Sequence, residues 1–360
     1  MNWTDLRGHG DQVEMLRRSI GRGRLAHAYL FAGPPGVGKS RFARIFAQCL
    51  LCDRHSDEEL QACGECSGCR QMEAASHPDF FFVGCPEGKG EIPVSVFYGS
   101  GDKRGKEGLI HDLSLRPMAG SRRVAIIDDA NKMNEEGANG MLKTLEEPPP
   151  NSLLILIAEN LDAVLPTIRS RCQLLRFGAL ATEDVTELLV ENEFTTDTGE
   201  ASAVAAMSDG SLQTAAQLLN PALRNLRERL YGFLSEPDMK PLDAAKLLTS
   251  GLDEIGGDTH EQRRGAGWLI RFAQEFYRQT VLLLSGDASS DATIPTEVQR
   301  YAQRLQSQGL SGTELAMDLF DRCVLAENHV DWNVNPGKAI ESLLNDLART
   351  SRSRQNLTVR

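Results

Sequence analysis

At 360 residues the chain exceeds what one ordinary hydrophobic core organises, so two or three domains are expected. Its 41% hydrophobic and 25% charged residues are those of a soluble globular protein, and no apolar run reaches the roughly 18 residues that span a bilayer. The net charge of −11 excludes a large sequence-blind attraction to nucleic acid and points first to protein partners, leaving room only for a local basic patch.

The start, "MNWTDLRGHGDQ", has no basic segment leading into an apolar one, so no signal peptide is read and the cytoplasm is the expected compartment, with no membrane partner. Val13, Leu16 and Ile20 lie three and four apart, which predicts a helix. "HAYLFAG" then gives a short buried strand, and after a glycine loop Phe42, Ile45, Phe46, Cys49 and Leu50 mark one side of a second helix.

Between this strand and helix stands "GPPGVGKS", with Gly33, Gly38, Lys39 and Ser40 on the fixed positions of G-x-x-x-x-G-K-S. Glycines let successive backbone N–H groups turn inward on phosphates, and the following helix aims the positive end of its dipole at them. In this reading Gly33, Pro34, Pro35, Gly36, Val37, Gly38, Lys39 and Ser40 cradle ATP, Lys39 neutralises the outer phosphates, and Ser40 ligates Mg²⁺. The bland alternative, a Gly-Pro turn capping an ordinary helix, lacks the strand-loop-helix context found here.

Directly after that helix, Cys52, Cys63, Cys66 and Cys69 form C-x10-C-x2-C-x2-C. In an intracellular chain such spacing reads as a metal site rather than a disulfide framework, and four thiolates favour structural Zn²⁺. A redox dithiol or an iron–sulfur cluster is the alternative; the dithiol would leave Cys52 and Cys69 without a role. Cys49, Cys85 and Cys323 read as small core residues or bystanders.

Further strands are expected at Asp79–Val83, Arg122–Asp128 and Leu153–Ala158, continuous apolar runs of the kind covered on both faces. Residues 84–108 read as an irregular insertion with one strand-like piece, Ile92–Tyr98. "VAIIDDANKMN" puts two carboxylates at a strand end: Asp128 to hold the hydrated Mg²⁺ and Asp129 to polarise an attacking water, or both simply to cap the next helix. Alternating strands and helices imply an α/β doubly wound parallel sheet. Beyond residue 178 the pattern is helical, broken near "SGLDEIGGDTHEQ" and "SGDASSDATIP", and the polar, basic end is expected to fray.

Taken together, "HAYLFAGPPGVGKS", the four-cysteine module, "IIDDANKMNEEGANGMLKTLEEPPP" and "LPTIRSRC" resemble the AAA+ clamp-loader subunits of bacterial DNA polymerase III, over roughly residues 5–220. The resemblance implies a RecA-like AAA+ nucleotide domain at 1–177 carrying the zinc module, a three-helix lid at 178–235, a helical collar at 236–345 that joins subunits into a ring, and a flexible tail at 346–360. It implies partners: gamma/tau and delta subunits, the sliding clamp, and primed DNA reached through the complex. It also implies that Arg171, in Ser170-Arg171-Cys172, projects into a neighbouring subunit's site as an arginine finger acting in trans, a role suited to an always-charged, forked guanidinium. Motor subunits of the gamma/tau type carry a threonine-rich sensor where this chain has Ala158, Glu159 and Asn160, and a lid arginine where it has Gln213. The pattern is most similar to the stator-like member, which donates its arginine to a motor. Two readings stay open beside it: a motor ATPase, and a structural ring component with a relic loop.

Overall fold

Residues 2–86, 89–255, 259–286, 294–331 and 335–358 are described by a computed structural model. Their strands are β1 (Ala28–Ala32), β2 (Phe80–Val83), β3 (Arg123–Ile127), β4 (Ser152–Ala158) and β5 (Gln173–Arg176), hydrogen-bonded in the order β2-β3-β4-β1-β5. All neighbouring pairs are parallel. β1 and β3 are buried along their whole length and β4 along all but its first residue, which is why these segments are mostly continuous apolar runs rather than alternating ones. Leu30, Ile127, Leu154 and Leu156 form the centre of one core layer.

The helices, in chain order, are α1 (Gly10–Ile20), α2 (Lys39–Leu50), α3 (Ser67–Glu73), α4 (Val94–Tyr98), α5 (Leu109–Ser114), α6 (Glu135–Glu146), α7 (Pro166–Arg169), α8 (Thr182–Glu191), α9 (Thr198–Ala206), α10 (Leu212–Leu218), α11 (Pro221–Ser235), α12 (Pro241–Leu252), α13 (Thr259–Ser285), α14 (Thr296–Gln306), α15 (Leu310–Asp331) and α16 (Pro336–Thr358). Two compact units result. The first comprises Met1–Glu193 and Ser208–Ala215 and contains the sheet; the second comprises Phe194–Met207 and Ala216–Arg360 and is helical. The second has an aromatic centre, in which Phe276 meets Tyr231, Tyr277 and Tyr301 at ring separations of 5.1, 5.3 and 5.3 Å.

One expectation is corrected. Ile92–Tyr98 is not a strand: Ile92 makes an isolated bridge to Met133, and after Pro93 the chain turns into α4, driving Phe97 into full burial. Packing of one aromatic ring overrides the β preference of "VSVFY". α16 extends through Thr358 into the basic end and buries Leu343, Leu344 and Leu347. Parts of two loop-like breaks, residues 256–258 and 287–293, and Glu87 and Gly88 of the insertion lie outside the described residues.

A buried carboxylate fixes the approach to β3. Asp79, fully buried, accepts the backbone N–H groups of Met118, Ala119 and Gly120 at 2.7, 2.7 and 3.0 Å, and lies 3.4 Å from the Arg123 guanidinium. Burial alone would raise its pKa. The three N–H donors and Arg123 overturn that, and the net shift is downward.

Candidate nucleotide and metal sites

The loop 33–40 leaves the carboxyl end of β1, an interior strand between β4 and β5, where ligands of doubly wound sheets bind. Gly36 and Gly38 have φ of +70° and +98°, backbone that L side chains rarely adopt. A Cβ at Gly36 would also collide with Ser211 Oγ, and the Leu212 N–H donates to the Gly36 carbonyl at 3.1 Å. The start of α10, with Gln213, therefore lies directly on the loop.

Lys39 is 6% exposed and folds back along its own loop, its Nζ donating to the carbonyls of Gly33 at 2.7 Å and Pro34 at 2.6 Å. Burial lowers its pKa, and three carboxylates oppose that, Glu159 most strongly, then Asp128 and Asp129. Both sequence-predicted acids thus sit within electrostatic reach of Lys39, although β4 separates β3 from β1 in the sheet. The Asp128 N–H continues the sheet ladder to Val83 at 2.7 Å. Asp129 is left-handed at φ +57°, donates its N–H to Asp128 Oδ1 at 3.0 Å, and holds Lys132 at 3.3 Å. Asn160 spends its side-chain oxygen on the Asp162 N–H at 2.9 Å.

Three participants give no signal in the sequence, because their partners are distant along the chain. His9, 2% exposed, packs edge-on to Phe177 at 5.0 Å and lies 2.6 Å from the Val37 carbonyl through Nε2. A carbonyl only accepts, so Nε2 is the donor and His9 pins the loop from beneath. Glu159 is the second, facing Lys39. The third is Glu146 of α6, which ion-pairs with Arg171. Arg171 also donates to the Thr167 carbonyl at 2.9 Å and to Ser170 Oγ at 3.3 Å. The structure thus assembles Lys39, Asp128 and Asp129 into one site and ties Arg171 to α6 and α7 instead.

Replacing His9 with alanine is expected to weaken nucleotide affinity several-fold through a looser loop, with little loss of fold; a fluorescent ATP analogue titrated against both proteins measures it.

The four cysteines converge. Their Sγ atoms all lie within 4.8 Å of one another, with Cys52–Cys66 at 3.9 Å and Cys63–Cys69 at 4.0 Å. A tetrahedron with metal–sulfur bonds of about 2.3 Å has edges of about 3.8 Å, so the spacing fits one four-coordinate ion and is far too long for disulfides. Backbone N–H groups already point at the sulfurs: Cys66 to Cys63 at 3.3 Å, Cys69 to Cys66 at 3.3 Å and Asp53 to Cys66 at 3.4 Å. The Glu65 N–H, with other hydrogen bonds, brings the Cys63 thiol down to about 6. Burial pushes Cys66 and Cys69 up, so those two ionise when a cation arrives. Cys49 and Cys323 are buried core residues, and Cys85 is half-buried.

The family described as DNA polymerase III, delta subunit, matches residues 8–181. The DNA polymerase III subunit delta' of Pseudomonas aeruginosa is 38% identical over 152 residues, covering 42% of this chain and 43% of that protein. Over this region the chain is similar to the delta' subunits of DNA polymerase III. The delta' subunit of Bacillus subtilis is 31% identical over 194 residues, 54% of this chain and 55% of that one. Subunit tau of Escherichia coli is 28% identical over 332 residues, 84% of this chain and 50% of that one. The chain thus spans about half the length of the curated relatives it matches. The five-stranded parallel sheet with its loop at β1, followed by helices, is the doubly wound α/β fold that the sequence pattern implies. Among the described residues no helix is long and apolar enough to cross a membrane.

Proposed function

We propose that this chain is a delta-prime-type subunit of the DNA polymerase III clamp loader, which holds Mg-ATP in its own loop and contributes Arg171 to hydrolysis in a neighbouring gamma/tau subunit. The observation that carries this is the complete loop with Gln213, not an arginine, at the start of the helix laid against Gly36. Gly33, Pro34, Pro35, Gly36, Val37, Gly38, Lys39 and Ser40 wrap the phosphates, Lys39 exchanging loop carbonyls for phosphate oxygens. Ser40 and Asp128 hold Mg²⁺, which draws charge off the phosphates, and Asp129 orients water. A glutamine at 213 and an alanine at 158 withhold charge from the transition state, so binding exceeds turnover. The lid at 178–235 and the collar at 236–345 belong to this reading, as do the delta subunit, the sliding clamp and primed DNA as partners. The four cysteines hold a structural Zn²⁺.

The purified chain is expected to bind Mg-ATP with little turnover, and Lys39→Ala to lose about a hundredfold or more in affinity, since a buried charge-assisted contact is removed. Robust hydrolysis by the chain alone would overturn the stator reading in favour of a motor ATPase, which the long match to tau and the carboxylates near Lys39 favour. Absence of nucleotide binding would leave a structural ring component with a relic loop.

Glu146 restrains Arg171 in the free subunit. Because exposed ion pairs contribute about 0–1 kcal/mol, Glu146→Gln is expected to change partner-site turnover by no more than about fivefold, measured in the reconstituted complex.

A further inference from the structure

A cavity of about 160 Å³ lies wholly within the helical unit, outside the region matched to the family. Its lining includes Glu236, Asp238, Tyr277, Tyr301, Arg304 and Ser351, contributed by the segment after α11 and by α13, α14 and α16. The space is about ten times what one water requires, enough for a small polyatomic ion.

Its charges are unevenly matched. Arg352 pairs with Asp238 at 3.0 Å, both well exposed. Arg304 is half-buried over the Tyr301 ring at 4.8 Å, and its guanidinium donates to the Ser235 carbonyl at 2.9 Å; among the described residues it has no carboxylate in ion-pair range. Carbonyl dipoles satisfy its N–H groups without neutralising its charge. Hydroxyl donors surround it: the Tyr301 phenol interacts with Ser351 and Arg304, and Tyr277 is 2% exposed. Burial pushes Tyr301 up to about 12 and Tyr277 well above its usual value, so both remain neutral O–H donors. Glu236, exposed, is the opposing carboxylate, distant enough from Arg304 not to pair with it.

We propose that this cavity is an oxyanion site, in which the Arg304 guanidinium and the hydroxyls of Tyr277, Tyr301 and Ser351 hold a phosphate or carboxylate group. A fixed cation with several hydroxyl donors in a partly desolvated pocket is the arrangement that binds such groups. It needs neither the phosphate loop nor Arg171.

The chain has five tyrosines, so fluorotyrosine labelling of the full-length protein gives a few resolvable ¹⁹F signals, assigned by Tyr→Phe variants. Titration with inorganic phosphate, and separately with succinate, at constant ionic strength in chloride is expected to move the Tyr277 and Tyr301 signals saturably. The arm that saturates at lower concentration identifies phosphate or carboxylate as the preferred source. Tyr29, on β1 in the other unit, serves as a reference signal outside the cavity. Arg304→Gln should weaken binding about tenfold or more, and Tyr277→Phe, read through Tyr301, several-fold. If Arg304→Gln does not fold, Tyr277→Phe and Ser351→Ala decide. Tyr277 and Tyr301 signals that respond no more to phosphate or succinate than to chloride, or affinities unchanged in the folded variants, overturn the site.

Discussion

Replacing Arg171 with alanine is expected to slow hydrolysis at the neighbouring subunit's nucleotide site about a thousandfold or more, the effect of losing a guanidinium that braces a transferring phosphoryl group. ATP binding by the isolated chain should be unchanged, since Arg171 bonds to Glu146, Thr167 and Ser170 and not to residues 33–40. Fold stability should barely move, because the residue is part-exposed and its ion pair is a surface one. Arg171→Lys should restore little: a point charge cannot reproduce the two-pronged donor geometry. The measurement is single-turnover hydrolysis in an assembly where only the adjacent motor site is left competent. Unaltered turnover there removes Arg171 from the mechanism.

The other large effect concerns the four sulfurs. Denaturing freshly purified, reduced protein should release about one Zn²⁺ per chain, and chelation or Cys69→Ser should unravel residues 52–73, because structural zinc contributes roughly 10–16 kcal/mol of apparent binding energy in small modules. Cys69 is fully buried and Cys66 nearly so, and without a cation both revert to neutral thiols. The pH dependence follows from the thiols. The Cys63 pKa is depressed, to about 6, so its thiolate is present above that value and lost below it. Metal affinity should fall as the pH drops, because protons compete with the cation at all four sulfurs. Cys66 and Cys69, whose pKa values are raised, oppose binding already at neutral pH, and Cys63 joins them as the pH falls through about 6. Hydrogen exchange in the segment, followed with and without chelator, tests the structural claim, and a reduced protein that never carries metal would contradict it.

What the sequence reveals depends on how local the cause is. The strand-loop-helix around Lys39 is legible because every determinant lies within a few residues: an apolar run, glycines that permit positive φ, then a helix face. The cysteine cluster is legible because thiolates separated by two residues can meet on one ion with hardly any tertiary help. Ile92–Tyr98 misleads because its β-rich composition carries no record of the pocket that accepts Phe97. His9, Glu146 and Glu159 act on the loop, Arg171 and Lys39 through space, and a carboxylate on a helix or before a turn looks like any surface charge until the fold closes.

The strand order has a consequence for synthesis. β1 is hydrogen-bonded only to β4 and β5, which follow it by more than a hundred residues. At usual translation speeds the strand that carries the loop waits on the order of ten seconds for its partners to leave the ribosome. During that interval "AYLFA" is an apolar segment without a sheet, in need of shielding by chaperones or by the ribosome surface. A nascent chain stalled before Ser152 would contain every residue of the loop and no platform to hold it.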